Sequence, residues 1–175
     1  FVIDMINKNL MNPFIIKRKY NNDPNFLLRS SIDIGALMID GLSDGIWLSA
    51  SQDISIVNQI AFGVLQASRM RISKTEYISC PSCGRTLFDL QETTSKIREV
   101  TNHLKGVKIG IMGCIVNGPG EMADADYGYV GTGVGNISLY KGQEVMKKNI
   151  PTENAVEALI DLIKEHGDWL EPSIV

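Results

Sequence analysis

Cysteines, aromatic residues and long apolar runs are scarce in this chain of 175 residues. Its three cysteines are an odd number, which argues against a framework of paired disulfides. A reducing cytosol or a plastid-like compartment fits better, and the cytoplasm is the location predicted here. No apolar run approaches the roughly 20 residues that span a membrane, and no signal-peptide pattern is present. Aromatic residues make up 7% of the chain, and the net charge is −3 without a basic stripe. The sequence therefore predicts no membrane and no nucleic-acid partner.

The chain opens at Phe1 without a methionine, in what reads as the middle of a helix. We therefore expect it to be a piece of a longer protein. The polar segment 71–76 predicts a boundary between two domains, residues 1–70 and 71–175. In the first, strands and helices alternate, as in a parallel α/β sheet or the closing units of a (β/α) barrel.

In residues 1–70 the predicted strands lie at 14–16 and 46–48, each followed by a helix. The basic run 17–19 is interpreted as a solvated strand end in preference to a phosphate site. In the first helix an apolar face predicts the side that packs inward, and it comprises Leu28, Ile32, Gly35, Ala36 and Ile39. Asp53 is predicted to cap the second helix.

Residues 71–175 predict a mixed α/β domain. The predicted strands lie at 77–79, 107–112, 127–130, 137–140 and 144–150. One helix is predicted after Asp89 and another near Thr152, and the glycine-rich stretch 113–120 is predicted to be a loop. Without side chains, the glycines of such a loop let backbone N–H groups approach a sulfur or an anion closely.

All three cysteines lie in or beside predicted loops. Cys80 and Cys83 form a C-x-x-C pair after a strand, a spacing that serves zinc, iron–sulfur clusters and thiol exchange alike. A structural zinc site needs a second close pair of ligands, whereas Cys114 stands alone and His103 and His166 fit surface or capping positions. Three cysteines suit a four-iron cluster whose fourth ligand is not cysteine.

An acid near Cys114 is the candidate for that fourth ligand. Glu121 follows a Gly-Pro-Gly turn, where it also fits the first turn of a helix, and Asp124 and Asp126 are its rivals. A carboxylate holds iron less tightly than a thiolate, so that position can exchange ligands. Asn117 either faces this iron or serves as a turn asparagine with a left-handed backbone.

A family resemblance rests on three stretches of sequence: Cys80-Pro81-Ser82-Cys83-Gly84-Arg85, Gly113-Cys114-Ile115-Val116-Asn117-Gly118-Pro119-Gly120-Glu121 and Ala125-Asp126-Tyr127-Gly128. From about residue 35 to residue 172 the chain resembles the C-terminal domain of the 4-hydroxy-3-methylbut-2-enyl diphosphate synthase family. The resemblance implies an oxidoreductase of non-mevalonate isoprenoid biosynthesis. Its substrate would be 2-C-methyl-D-erythritol 2,4-cyclodiphosphate, and ferredoxin or flavodoxin would supply the electrons.

The same resemblance implies a site and a fold. A [4Fe-4S] cluster would be held by Cys80, Cys83, Cys114 and Glu121, with Asn117 as a catalytic residue beside the substrate. The iron–sulfur domain would be similar to domains of sulfite and nitrite reductases. It would close over the catalytic (β/α)8 barrel of the parent chain.

Trp47 stands where the short bacterial form of the family has an arginine that helps to bind diphosphate. The chain therefore resembles the longer, three-domain form, and residues 1–70 would be the end of its barrel-like spacer. We expect such a fragment to be inactive alone. A structural zinc module and a non-catalytic electron-transfer module are the alternative functions.

Overall fold

The computed structural model describes residues 2–9 and 12–172, and the chain divides into two compact units, residues 1–73 and 74–175. The first unit contains α1 (Val2–Asn7), β1 (Ile15–Tyr20), α2 (Phe26–Ile39), β2 (Gly45–Ala50) and α3 (Ile54–Ala67). The second contains β3 (Glu76–Ser79), α4 (Leu90–Thr101), β4 (Lys108–Met112), α5 (Gly118–Glu121), β5 (Tyr127–Gly133), β6 (Asn136–Lys141), β7 (Glu144–Pro151), a 3-10 turn (Thr152–Asn154) and α6 (Ala155–Glu165). The predicted α/β class is confirmed.

The first unit is a strand–helix–strand–helix arrangement with parallel strands. β1 pairs with β2 along its whole length and extends beyond the predicted 14–16 through the basic segment 17–19, which is exposed, as expected for a solvated strand end. Lys17 pairs with Trp47 on the exposed face, where the ammonium lies 4.5 Å from the ring centre. Alternate residues such as Ile16 and Ile46 face the helices and form the core.

The predicted inward face of α2 is wrong except at Gly35, which is buried. Leu28, Ile32 and Ile39 are 60–70% exposed, whereas Ile34 and Met38 are fully buried beside Ile16 and Val64. Apolar residues occur on more than one side of this helix, so its periodicity cannot select the stripe that meets the strands.

The second unit is built on a five-stranded mixed sheet. The strand order is β3-β4-β5-β6-β7, with the first three strands parallel and the last two antiparallel. The parallel connections pass through α4 and α5, and two short turns join the antiparallel strands. The register shifts once between β5 and β6 and twice between β6 and β7.

Both faces of this sheet are covered at its centre. Helices α4 and α6 pack on one face, over a core that contains Ile97, Leu104, Ile109, Ile111, Tyr127, Tyr129, Leu139, Leu159, Leu162 and Ile163. On the other face Met112, Met122, Val130 and Tyr140 form a smaller cluster beside α5. The buried strands β4 and β5 therefore hold the loops that follow β3 and β4 in fixed positions. No helix in the described parts of the chain is long and apolar enough to cross a membrane.

Candidate metal centre

The two cysteine loops follow neighbouring parallel strands. β3 ends at Ser79, which pairs with Ile111 of β4, and the amide of Cys80 continues this ladder by donating to the Ile111 carbonyl over 3.2 Å. Cys114 follows the end of β4. Because parallel strands end at the same edge of a sheet, both loops lie together at that edge.

One cavity of about 140 Å³ lies between the two loops. Its walls include every residue predicted to hold the cluster, together with the predicted catalytic asparagine. The lining residues are Cys80, Pro81, Ser82, Cys83, Arg85, Met112, Cys114, Asn117, Gly118 and Glu121. The structure thus brings all four predicted ligands and Asn117 to one place.

The rival acids and the histidines lie outside that lining and contact other groups. Asp126 accepts a hydrogen bond from the amide of Lys108 over 2.8 Å, and Asp124 lies 3.3 Å from the ammonium of the same lysine. His103 and His166 each hydrogen-bond a backbone carbonyl oxygen at 2.8 Å. Glu121 is therefore the acid that this arrangement offers to the three thiols.

The C-x-x-C loop ends in a tight turn. The amide of Cys83 donates to Oγ1 of Thr86 over 3.1 Å, and the amide of Thr86 donates back to the Cys83 carbonyl over 3.0 Å. Ser82 has a φ of +69°, a left-handed conformation that is uncommon for serine. Hydrogen bonds from the backbone and then the guanidinium of Arg85 lower the pKa of the exposed Cys83 thiol, which favours its thiolate.

Gly113 joins the two loops through its backbone. Its N–H donates to Sγ of Cys80 over 3.3 Å, and its carbonyl accepts from the amide of Leu87 over 3.1 Å. A Cβ on Gly113 would lie 2.8 Å from Cγ2 of Thr86, and one on Gly131 would lie 2.5 Å from the Gly113 oxygen. Glycine is needed at both positions because no side chain fits between these segments.

Asn117 immediately precedes the short helix α5, and Glu121 lies one turn later at its end. Asn117 precedes the helix with φ −109°, so a left-handed backbone is not its role, and its side chain makes no capping hydrogen bond. The amide of Glu121 donates to the Asn117 carbonyl over 3.0 Å. Gly118 lets this turn lie directly on Met112, since a Cβ there would be 2.7 Å from Cβ of Met112. Residues four apart on a helix share a face, which explains why both line the cavity.

These residues fit a group of several atoms better than a single ion. Thiolates around one tetrahedral zinc, with bonds of about 2.3 Å, have their sulfurs only about 3.8 Å apart. Within 2–9 and 12–172, no three His, Cys, Asp or Glu side chains are grouped closely enough to hold one metal ion. The cavity, at about 140 Å³, nevertheless has roughly ten times the space that one water requires. Its soft thiolates and single carboxylate are suitable ligands for iron.

The sequence alone did not indicate a role for Thr86, nor the effect of Arg85 on the pKa of Cys83. The signal for Thr86 was its hydroxyl three residues after Cys83, a spacing at which threonine side chains bond to backbone amides. Its contact with Gly113 had no local signal, because the two residues belong to different loops.

The family described as GcpE protein C-terminal domain matches residues 76–165 of the chain. This chain belongs to that family. The match begins with β3 and ends with α6, so the GcpE C-terminal domain here comprises the five-stranded sheet and both cysteine loops. The family resemblance predicted from the sequence is confirmed.

Several relatives bear the name 4-hydroxy-3-methylbut-2-en-1-yl diphosphate synthase (flavodoxin). The protein of Parabacteroides distasonis is 65% identical over 144 residues, which cover 82% of this chain and 24% of that relative. One from Bacteroides fragilis is 59% identical over 166 residues, covering 93% and 26%. One from Protochlamydia amoebophila is 50% identical over 174 residues, covering 98% and 27%. The chain spans about a quarter of the length of these curated relatives.

Proposed function

We propose that this chain is the iron–sulfur part of a 4-hydroxy-3-methylbut-2-en-1-yl diphosphate synthase. The enzyme would reductively open 2-C-methyl-D-erythritol 2,4-cyclodiphosphate in non-mevalonate isoprenoid biosynthesis in the cytoplasm, with electrons from flavodoxin or ferredoxin. The observation that carries the proposal is the single cavity lined by Cys80, Cys83, Cys114 and Glu121. The names of relatives that are 50–65% identical support the choice of reaction.

The three thiolates and the Glu121 carboxylate would hold a [4Fe-4S] cluster. When bound, such a cluster supplies single electrons and a Lewis-acidic iron. The Gly113 N–H lies against Cys80, and Arg85 lies beside Cys83, so both offset negative charge on the sulfurs. The carboxylate is the weakest ligand of the four, and the position it holds is therefore the one suited to substrate.

Asn117 is the residue that we propose as the contact to substrate. It lines the cavity one helical turn from Glu121, and its exposed amide makes no capping hydrogen bond. A side-chain amide both donates and accepts, so it can hold a substrate hydroxyl or phosphate oxygen in one orientation. It acts without changing its own protonation state.

The remaining chemistry is assigned to the parent protein. We infer that residues 71–175 form the cluster domain, with a fold similar to domains of sulfite and nitrite reductases. Residues 1–70 would be the end of a barrel-like spacer, an inference supported by the parallel strand–helix–strand–helix order. The catalytic barrel that holds the cyclic diphosphate would lie in the rest of the parent chain, so this fragment alone should not turn over substrate.

Anaerobic reconstitution of the chain with iron and sulfide tests the proposal. The expected result is about four irons and four sulfides per chain, with a sharp loss in Cys114→Ala. Glu121→Gln should weaken retention of iron, and Asp124→Asn, a matched change outside the cavity lining, should not. Unchanged iron in Cys114→Ala, or a colourless protein with one zinc, would contradict the proposal.

A second experiment tests the reaction itself. The full-length parent, supplied with reduced flavodoxin and the cyclodiphosphate, should form the open-chain diphosphate, and the 175-residue chain should not. If the full-length parent binds the cluster but leaves the substrate intact, the chain would instead be a non-catalytic electron-transfer module.

A further inference from the structure

Thr86 occupies the junction between the two cysteine loops. Its Oγ1 accepts from the Cys83 amide over 3.1 Å and lies 3.2 Å from Oγ of Ser82. Its amide closes the turn by donating to the Cys83 carbonyl over 3.0 Å. The Thr86 hydroxyl thus fixes the amide that joins Ser82 to Cys83, in a segment where Ser82 has a left-handed backbone.

Thr86 also contacts the Cys114 loop. Its Cγ2 and Oγ1 lie against the α-carbon of Gly113, at 2.8 and 2.9 Å from where a Cβ would stand. The next residue, Leu87, donates to the Gly113 carbonyl, and Gly113 itself donates to Cys80 Sγ. Thr86 therefore touches the C-x-x-C turn with its hydroxyl and the Cys114 loop with both its methyl group and its hydroxyl.

We propose that Thr86 is a positioning residue that fixes Cys83 and the Cys114 loop relative to each other for the group held in the cavity. It does not line that cavity, and so it acts through its neighbours and not as a ligand. Groups that orient metal ligands in this way typically change metal affinity about 10–100-fold when they are removed. This inference rests on the proposed function for the identity of the bound group only.

Thr86→Val is the main test, because valine keeps the branched shape and loses the hydroxyl. The loaded full chain should lose iron to a chelator about tenfold faster than wild type, with a changed electron paramagnetic resonance spectrum of the reduced cluster. Thr86→Ser, which keeps the hydroxyl, should retain iron better than Thr86→Val. Thr94→Val is the matched control, since it makes the same chemical change at a half-buried threonine of α4. Equal iron loss in Thr86→Val and wild type, or equal loss in Thr86→Val and Thr94→Val, would overturn the proposal.

A measurement on the metal-free chain keeps this inference separate from the proposed function. Hydrogen exchange at the Cys83 amide should be about fivefold faster in Thr86→Val than in wild type, as expected for one lost hydrogen bond. Unchanged exchange at Cys83 would refute the positioning role, even if the wild type loads a full cluster. A wild type that takes up no iron would refute the proposed function, and the Cys83 exchange would still decide the role of Thr86.

Gly113→Ala provides an independent check of the contact between the loops. Its new Cβ would collide with Thr86, so iron retention should fall, and the effect should be smaller in a Thr86→Ala background. Additive effects of the two substitutions would show that the contact does not set the loop geometry. Circular dichroism of each variant confirms that the α/β fold is present.

Discussion

Gly131→Ala should disturb the cysteine loops from a position on the central strand β5. The added Cβ would stand 2.5 Å from the Gly113 carbonyl oxygen, and ordinary van der Waals contact begins at 3.4 Å, so the two segments must separate by about 0.9 Å. The obstructing oxygen of Gly113 belongs to the backbone, which cannot rotate away as a flexible side chain can. Overpacking of this kind costs about 1–3 kcal/mol in the free energy of unfolding.

The assay compares Gly131→Ala with Gly133→Ala, a matched change on the same strand where the nearest atom would be 3.9 Å away. For a loss of about 2 kcal/mol, a chain of this length should melt about 4–8 °C lower, and Gly133→Ala should melt much closer to wild type. Iron retention should fall in Gly131→Ala as well, because Gly113 precedes Cys114. Equal melting temperatures and equal iron retention in the two variants would refute the argument from close packing.

Three further predictions follow from contacts elsewhere in the second unit. Met122→Ala should cost about 2–5 kcal/mol in denaturant unfolding, because this side chain is 1% exposed. In the metal-free chain, iodoacetamide should modify Cys83 first. The backbone amide of residue 85 and then the Arg85 guanidinium lower the pKa of the Cys83 thiol, and Arg85→Gln removes only the guanidinium, so it should slow the reaction modestly near neutral pH; peptide mass spectrometry measures both. Hydrogen bonds, first from Lys141, lower the pKa of Asp168, so its carboxylate stabilises the fold above about pH 4 and that contribution is lost as pH falls through the lowered value. Asp168→Asn should therefore lower thermal stability at pH 7 by at most about 1 kcal/mol, since the pair is partly exposed, and should have little effect in strong acid.

Local chemistry predicted the helix starts well. Asp53 caps α3 by accepting from the amide of Ser55, and Asp89 caps α4 by accepting from the amide of Glu92. These signals act over two or three residues, so the sequence contains everything that decides them. The buried face of α2 is the opposite case, because it is decided by packing against Ile16 of β1 and Val64 of α3, contacts that no local pattern specifies.

In the candidate site, too, some features are indicated by the local sequence and others depend on contacts that only the fold creates. The C-x-x-C spacing and the glycine-rich stretch indicated a metal site, and the family resemblance indicated which residues would hold the metal. That Cys80 and Cys114 share a cavity depends on the pairing of β3 with β4, a contact that no local pattern specifies. The contact of Thr86 with Gly113 likewise arises only after that pairing, which is why sequence reasoning did not find it.

β3 is one of the two edge strands of its sheet and has only four residues. Two of the three sulfurs, those of Cys80 and Cys83, follow this edge strand, while Cys114 follows the buried strand β4. Local unfolding of this short edge strand would thus release the sulfurs of Cys80 and Cys83 together and leave that of Cys114 in place. Loss of the inorganic group and local opening of the sheet would then be a single event, and a bound cluster would protect the backbone amides of β3 from exchange with solvent.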